Sequence, residues 1–337
     1  MRSLLGLGGY FNNPIDTPEE IIEYAYENHI RTFDTSPYYG ESEKYFGNVL
    51  SKYDRKTFTI CTKTKATTTE ELMDSIFNSL DNLKVEYLDF LFGHSFIDSI
   101  ETLNKHLHIL EKMKDLKRTI LNRIGVSGHS VEAAMYVLDN NLVDCIMIPH
   151  SIMYTKFDKV IEKANKKKIT VITMKNFGSG ILLGGDNWKD NEFKRKVSFH
   201  DIINFAIQSG ADLIIPAARS ISQLKMIITY YNHSELISDK HIKEVQESII
   251  NILGIDFCRS CNECRPCKKY GWAMSQSGIL KALIYHNNFN KNMKEEYAKY
   301  KLNVNDCGEC DDCSQYCPFY IDIKEEMHAA HKILGVI

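Results

Sequence analysis

The sequence predicts an α/β fold: a closed (β/α)8 barrel of the TIM type over residues 1–253, then a small, mainly helical domain over 254–337. Three observations predict it. Eight strand-like runs precede residue 220, helical patterns with caps separate them, and eight of the ten cysteines fall between Cys258 and Cys317. Strands alternating with helices argue for a parallel sheet. Eight of them in about 250 residues suit a closed barrel. An open, doubly wound sheet would want a glycine-rich phosphate loop after its first strand. Gly6-Leu7-Gly8-Gly9 is the one candidate, and it lacks the spacing.

The strand-like runs are Leu4–Leu7, Arg31–Asp34, Thr57–Thr62, Tyr87–Phe92, Asn122–Val126, Asp144–Ile148, Thr170–Met174 and Asp212–Pro216. Thr17-Pro18-Glu19-Glu20 opens the first helix as a capping box with proline at its first position, and Ile21, Ile22, Ala25 and Tyr26 form its apolar face. Thr68-x-x-Glu71 opens a second, with Leu72, Ile76, Leu80 and Leu83 on one side. Ser130 and Ser198-x-x-Asp201 open two more. Ser238–Leu253 reads as a helix with Ile242, Val245, Ile249 and Ile252 at helical spacing, closing the barrel region. A further helix is centred on Ile279–Tyr285.

A net charge of −3 over 337 residues points to neither a nucleic-acid nor an anionic-membrane partner. No apolar run approaches the roughly 20 residues of a membrane helix. Met1-Arg2-Ser3-Leu4-Leu5-Gly6 leads straight into a strand, which predicts no signal peptide and a cytoplasmic location. Cys61 and Cys145 lie alone in apolar runs and read as buried structural thiols.

Three strand-like runs end in ionisable residues. Phe33-Asp34-Thr35-Ser36-Pro37-Tyr38-Tyr39-Gly40 begins with a carboxylate at a strand end and closes on two phenols and a glycine. Lys63 closes the run from Phe58, and His94 follows the run from Tyr87. In a parallel barrel the carboxyl-terminal strand ends converge on one face, where chemistry sits. A phenol titrates near ~10 and is a poor acid at neutral pH, and a neighbouring ammonium is expected to lower that value. Tyr39 then reads as general acid, Lys63 as the cation tuning it and Asp34 as the group holding Lys63 charged. His94 reads as the donor that orients a carbonyl and shares its developing charge. Tyr38 competes with Tyr39. Lys65 competes with Lys63, and strand periodicity does not separate the two lysines.

Asp-x4-Tyr-Gly, then Thr-Lys, then an apolar strand ending in histidine resembles the catalytic tetrad of the aldo-keto reductases. Glu43 and Gly47 also stand where that family's first motif has them. The resemblance spans roughly residues 3 to 250 and selects Tyr39 over Tyr38 and Lys63 over Lys65. It implies carbonyl reduction, or alcohol oxidation, with a small carbonyl or alcohol substrate and a nicotinamide cofactor, NADP(H) or NAD(H). Gly125-Val126-Ser127 resembles its nucleotide motif after the fifth strand, and Ile215–Ser220 followed by Gln223 resembles its phosphate segment. Gly8, Ser127, Arg219, Ser220 and Gln223 are the implied cofactor contacts. A guanidinium beside a helix N-terminus suits phosphate oxygens. Three positions depart from the family pattern: Gly128 and Ile227 where it has asparagine, and Met147 where it has glutamine. Val171–Gly180, ending its strand in Met-Lys before a glycine-rich loop, resembles the iron–sulfur branch of the family, and Lys175 there is within reach of a phosphate. Trp188 and Tyr154 are candidate aromatic walls of the substrate site.

The remaining cysteines form two runs. Cys258-x2-Cys261-x2-Cys264-x2-Cys267 comes first, and Cys307-x2-Cys310-x2-Cys313-x3-Cys317-Pro318 second. Without a secretory signal, such spacing reads as metal binding and not as disulfides. The second run is that of bacterial ferredoxins, in which the fourth cysteine ligates the other cluster when there are two. This resemblance implies two [4Fe–4S] clusters, one on Cys258, Cys261, Cys264 and Cys317, the other on Cys307, Cys310, Cys313 and Cys267. The first run departs from the pattern, with Lys268 where proline usually follows. Structural zinc is the competing reading, but it uses two Cys-x2-Cys pairs around a longer gap. The predicted protein is an oxidoreductase whose clusters exchange electrons with a redox partner protein. The contrasting expectation is an electron-transfer or partner-binding module whose barrel no longer uses NAD(P)H.

Overall fold

The structure, a computed structural model, describes residues 2–11, 14–183, 196–255, 257–261, 263–264, 267, 276–288, 292–298, 304–307, 310 and 313–335. Trp188 and Lys268 lie outside the described residues.

Among the described residues one all-parallel sheet holds every strand. Its first strand, β1, is interrupted at Gly6. The half Leu4–Leu5 pairs with Leu213–Ile214, and the half Leu7–Gly8 pairs with Thr32–Asp34. One strand thus joins the two edges of the sheet, and the barrel is closed. The strands after β1 are Thr32–Asp34 (β2), Thr59–Thr64 (β3), Leu88–Gly93 (β4), Leu121–Ser127 (β5), Cys145–Pro149 (β6), Thr170–Met174 (β7) and Leu213–Ile214 (β8). Each lies within two residues of the run predicted for it. The helices alongside are Pro18–Glu27 (α1), Ser42–Leu50 (α2), Thr69–Leu83 (α3), Ile100–Asp115 (α4), Val131–Asp139 (α5), Asp158–Lys166 (α6), Phe199–Ile207 (α7) and Ile221–Asn232 (α8).

The inside of the barrel is packed with Cys61, Phe92, Cys145, Met147, Ile172, Leu213 and Ile215. Residues two apart, such as Cys145 and Met147, share that face because side chains alternate along a strand. The two lone cysteines are therefore core residues, as predicted. At the amino-terminal strand ends a carboxylate device recurs. Asp89 accepts from the Ile60 N–H (2.8 Å), Asp144 from Ile124 (3.0 Å) and Asp212 from Val171 (2.8 Å). Each aspartate stands at or just before the start of β4, β6 or β8 and fastens the strand before it, which pins register where a slip would invert every side chain.

Local signals build the helices as predicted. Thr17 and Glu20 exchange hydrogen bonds with each other's backbone at the start of α1, with Pro18 at the first position. Ser130 and Ser220 cap α5 and α8 through the Ala133 and Gln223 N–H groups.

The chain forms two compact units: Met1–His150, Thr155–Asn176 and Ile203–Leu236 in one, Ser151–Tyr154, Phe177–Ile202 and Ile237–Ile337 in the other. The barrel sheet lies wholly in the first. The division after Leu236 differs from the sequence-based boundary at 253/254, because the helix Asp239–Leu253 (α9) is tied within the second unit. Its Gln246 donates to the Ile152 carbonyl at 2.9 Å, and its His241 meets Asp201 at 2.7 Å. Gln276–Asn288 (α10), Lys294–Ala298 (α11) and Ile323–Leu334 (α12) follow. They share an apolar core of Ile279, Leu280, Leu283, Tyr297, Ile323, Met327 and Leu334.

Candidate active site

Asp34 ends β2, Lys63 lies in the last turn of the pleat of β3, and His94 follows β4, so three adjacent strands deliver them to the carboxyl-terminal rim. Lys63 Nζ donates to both Asp34 carboxylate oxygens and to the Thr35 carbonyl, each at 2.7 Å. Lys63 is 1% exposed and Asp34 4%. Burial works against the Lys63 ammonium, yet the charges of Asp34 and Tyr39 outweigh it and its pKa lies above the ordinary lysine value. Burial also raises Asp34, with Lys63 opposing the rise. The bidentate contact favours the charged pair.

Tyr39 sits on the turn after β2, its N–H donating to the Ser36 carbonyl at 3.0 Å. Lys63 Nζ lies 4.8 Å from the Tyr39 ring centre, and His94 meets that ring edge-on at 5.9 Å. Tyr38 is committed elsewhere: its hydroxyl accepts from the Lys65 N–H at 3.0 Å, and the Lys65 ammonium lies 4.6 Å over its ring. Lys65 is exposed where Lys63 is buried. Lys63, buried on Asp34, and Tyr39, beside Lys63 and His94, thus have different surroundings from exposed Lys65 and from Tyr38.

One expectation is corrected. The Tyr39 phenol is not lowered below its ordinary pKa but raised, because burial outweighs the attraction of Lys63, and Asp34 pushes the same way as burial. Tyr39 therefore keeps its proton through the neutral range. Burial first, then the charges of Lys63, Lys65 and His129, hold His94 down to about 2. His94 is a neutral imidazole here, and Ser36 Oγ stands 3.4 Å from its Nδ1.

Of the supports of this group, the sequence marked Glu43 and Gly47 through the family motif and passed over Thr35. Thr35 acts through its carbonyl, which no side-chain pattern announces. Glu43 is buried and accepts from Thr62 Oγ1 at 2.6 Å, tying α2 to β3. Gly47 allows that approach: a Cβ there would stand 2.1 Å from the Asn82 carbonyl oxygen at the end of α3.

The nucleotide candidates are less closely grouped. Ser220 caps α8, and the Arg219 N–H donates to Gln223 Oε1 at 2.9 Å. The Arg219 side chain is exposed. The Ile221 N–H at that helix start donates to Asp16 Oδ2 at 2.6 Å, so a carboxylate already takes the first amide a phosphate would use. Gly8 lies against the Ile215 and Pro216 carbonyls, inside the closing strand pair. Ser127 Oγ is engaged with the Gly93 carbonyl (3.4 Å) and the Ser95 N–H (3.3 Å). The departures have structural causes. A Cβ on Gly128 would meet the Ile97 backbone at 2.6 Å and Asp98 Oδ1 at 2.8 Å. Met147 fills the barrel core, and Ile227 is buried within α8. Lys175 Nζ stands 3.2 Å from His129 Nε2, whose Nδ1 meets Asp98 at 2.9 Å. Tyr154, a candidate aromatic wall, belongs to the second unit, where its hydroxyl bonds to Glu263 and its ring packs on Phe319.

A profile of the Aldo/keto reductase family matches residues 4–201. The chain belongs to the aldo/keto reductase family. Among curated proteins, it is 34% identical over 152 residues to D-arabinose 1-dehydrogenase of Saccharomyces cerevisiae, covering 39% of this chain and 44% of that protein. It is 31% identical over 130 residues to L-galactose dehydrogenase of Arabidopsis thaliana, covering 35% and 40%. The chain thus spans less than half the length of these curated relatives. Among solved structures it resembles the aldo-keto reductase AKR11C1 from Bacillus halodurans (TM-score 0.61, 15% identity, 73% of this chain and 92% of that one). It also resembles MGS-M4, an aldo-keto reductase from a deep-sea metagenome (TM-score 0.58, 17% identity, 72% and 90%). At those identities the likeness is one of fold, and this aldo/keto reductase shares the barrel.

The second unit gathers cysteines. Cys258, Cys261, Cys264 and Cys317 line one small pocket together with Arg259, Leu280, Pro318 and Phe319. Cys264 is pushed up to about 12, first by burial and then by Cys258, Cys261, Cys313 and Cys317. Among the described residues no three His, Cys, Asp or Glu side chains converge on a position for a single metal ion. Cys267 and Cys313 pack against the same apolar core, while Cys310 is exposed. No described helix is long and apolar enough to cross a membrane.

Proposed function

We propose that this aldo/keto reductase is an oxidoreductase that reduces a carbonyl, or oxidises the corresponding alcohol, at Tyr39, Lys63, Asp34 and His94. The observation that carries the reading is the buried Lys63 ammonium, fastened to Asp34 by two 2.7 Å contacts beneath the Tyr39 ring. A carbonyl oxygen between Tyr39 and His94 gains negative charge as it is reduced. The Tyr39 hydroxyl delivers a proton to it, and the phenolate left behind is stabilised by Lys63. Neutral His94 donates a hydrogen bond that orients the oxygen. The names of the curated relatives favour a sugar carbonyl or its hemiacetal as substrate.

A nicotinamide nucleotide fits the chain at its phosphate end, where Arg219, Ser220 and Gln223 stand at the start of α8, with Gly8 nearby in the closing strand pair. Toward the carboxamide, Ser127 is the one family residue kept. When bound, the nicotinamide supplies hydride. Tyr39→Phe is the direct test: carbonyl-dependent NADPH oxidation is expected to fall by about 10²–10⁴-fold. Undiminished turnover would remove Tyr39 as the acid.

In the second unit, Cys258, Cys261, Cys264 and Cys317 hold one [4Fe–4S] cluster, and Cys307, Cys310, Cys313 and Cys267 a second. A cube takes its thiolates one per corner, which four cysteines lining one apolar pocket can supply, and four equally spaced cysteines before the long gap favour it over zinc. On this reading the protein belongs to the iron–sulfur branch of the family and works in a reducing cytoplasm with a redox partner protein. Iron and sulfide analysis after anaerobic purification tests it, with zinc as the opposing outcome.

A second reading has its own observations. Gly128 has no room for a side chain, Met147 is buried in the core and Asp16 occupies the start of α8. These favour a barrel that no longer takes a nicotinamide and serves the clusters as a binding module. NADPH fluorescence titration separates the two: a protein that neither quenches nor enhances it supports the second.

A further inference from the structure

Tyr38 and Lys65 stand outside the tetrad and form a pair of their own on the same rim. Tyr38 precedes Tyr39 on the turn after β2, and Lys65 follows the last residue of β3. The Lys65 N–H donates to the Tyr38 hydroxyl at 3.0 Å, and the Lys65 ammonium lies 4.6 Å from the centre of the Tyr38 ring. The same ring stands 5.5 Å from the His94 imidazole. One aromatic ring thus adjoins both the imidazole of the tetrad and an ammonium beside it. Tyr38 is 46% exposed, so part of that ring is open to solvent next to the site. Tyr10, 56% exposed, meets the Tyr39 ring edge-on at 5.2 Å and supplies a second open phenol.

The charge of Lys65 reaches into the site: together with burial and Lys63 it opposes protonation of His94. The carboxylates whose charges reach Tyr38, Glu71 and Glu43, are engaged by other groups. Glu71 accepts from the Thr67 N–H at 2.7 Å and from the Thr67 hydroxyl at 2.8 Å, and Glu43 accepts from Thr62 at 2.6 Å. Lys65 forms no ion pair among the described residues. Two lysines two positions apart therefore differ in kind. Lys63 is buried and matched by Asp34, and Lys65 is exposed with its charge held over a neutral ring.

We infer that Lys65 determines specificity by binding an anionic group, a carboxylate or a phosphate, on the substrate whose carbonyl lies between Tyr39 and His94. The inference rests on the carbonyl-reducing reading of the tetrad and names the substrate class for it: a carbonyl compound carrying negative charge several bonds from the reacting carbon, as the open form of a sugar acid or sugar phosphate does. An ammonium binds either anion through charge-assisted hydrogen bonds. The ring beneath it attracts the cation and narrows its movement, so less side-chain freedom is lost when the anion arrives. Tyr38 and Tyr10 each offer an apolar face and a hydroxyl to the carbon chain in between. Neutral His94 is left to meet the carbonyl, and Lys65 the charge.

The test uses the full-length protein and two matched pairs: D-glucuronate with D-glucose, and glyceraldehyde phosphate with glyceraldehyde. NADPH oxidation gives kcat and KM for each. The wild type is expected to show a KM about tenfold lower for the anionic member of at least one pair, and the pair that responds tells carboxylate from phosphate. In Lys65→Met that advantage is expected to vanish through KM, in Lys65→Glu to reverse, and in Lys65→Arg to persist. Added salt is expected to erode it in the wild type, because an exposed charge is screened. A wild type without anionic preference, or a preference that survives in Lys65→Met, overturns the inference while leaving the tetrad reading intact. Equal loss in the Met and Arg variants also overturns it, because the side chain would then shape the rim and not supply charge. Wild-type protein that turns over none of the four compounds removes the inference together with the reading it rests on.

Discussion

Lys63 is the residue whose environment decides the most. Its ammonium is buried, and Asp34 is the carboxylate bonded to it. Removing one member of such a pair leaves an uncompensated charge, which costs about 3–5 kcal/mol. Asp34→Asn is therefore expected to lower the urea midpoint sharply, and Lys63→Met added to it is expected to recover part of the loss. A double mutant no more stable than the sum of the singles would show that the two side chains are not one unit. His94 gives a prediction in pH. Its folded pKa is depressed to about 2, whereas an unfolded histidine takes a proton near ~6.5. Across that interval the unfolded chain binds a proton that the folded chain refuses, so stability falls as pH falls. Urea midpoints measured from pH 7.5 down to about 4.5 are expected to decline less steeply in His94→Phe than in the wild type. In the proposed reduction Tyr39 acts in its protonated form, so its raised pKa is expected to place the loss of activity on the alkaline side, above the ordinary phenol value.

At the scale of elements, the site depends on how closely neighbouring elements approach. Gly47 lets α2 press against the end of α3, which brings Glu43 to Thr62 and steadies β3 beneath Lys63. Gly47→Ala is expected to cost about 1–3 kcal/mol in urea unfolding, the usual range for overpacking. Activity is expected to fall with it, because the strand carrying Lys63 loses its anchor. Gly128 is a second close approach. Restoring the family asparagine there places a side chain against Ile97 and Asp98, so Gly128→Asn is expected to destabilise the barrel and to leave NADPH affinity no better. A tighter NADPH titration in that variant would contradict the packing argument. These two glycines differ in legibility. Gly47 could be matched to the family motif from the chain alone, whereas the reason for Gly128 needed the loop after β4 in place, since Ile97 and Asp98 are thirty or so positions away.

For the whole molecule, cysteine position separates two chemistries within one chain. Cys145 is packed inside the barrel, whereas Cys317 lines the pocket with three cysteines of the first run. Cys317→Ala is expected to lower iron per chain markedly, and Cys145→Ala to leave it unchanged. Equal iron in the two variants would break the assignment of Cys317 to a cluster. The two compact units do not follow chain order: short stretches around 151–154 and 177–202 join the carboxyl-terminal part. A boundary drawn in one cut through the sequence cannot express that, because a unit is defined by which side chains pack together.

The sequence by itself determined the eight strands and the helix starts, because these follow from local periodicity and capping chemistry, and it named the four candidate site residues through their positions at strand ends and the family resemblance. It also determined the spacing of the cysteines. The tertiary structure added what covers each competitor: Lys63 is buried against Asp34 while Lys65, on the same strand face, is exposed, and the Tyr38 hydroxyl is taken by the Lys65 N–H. It likewise decided the direction of the Tyr39 shift, the service of Tyr154 to the second unit and the place of Arg259 beside four cysteines. Burial and charge are properties of the surroundings, and the surroundings of a side chain are assembled from residues far away along the chain.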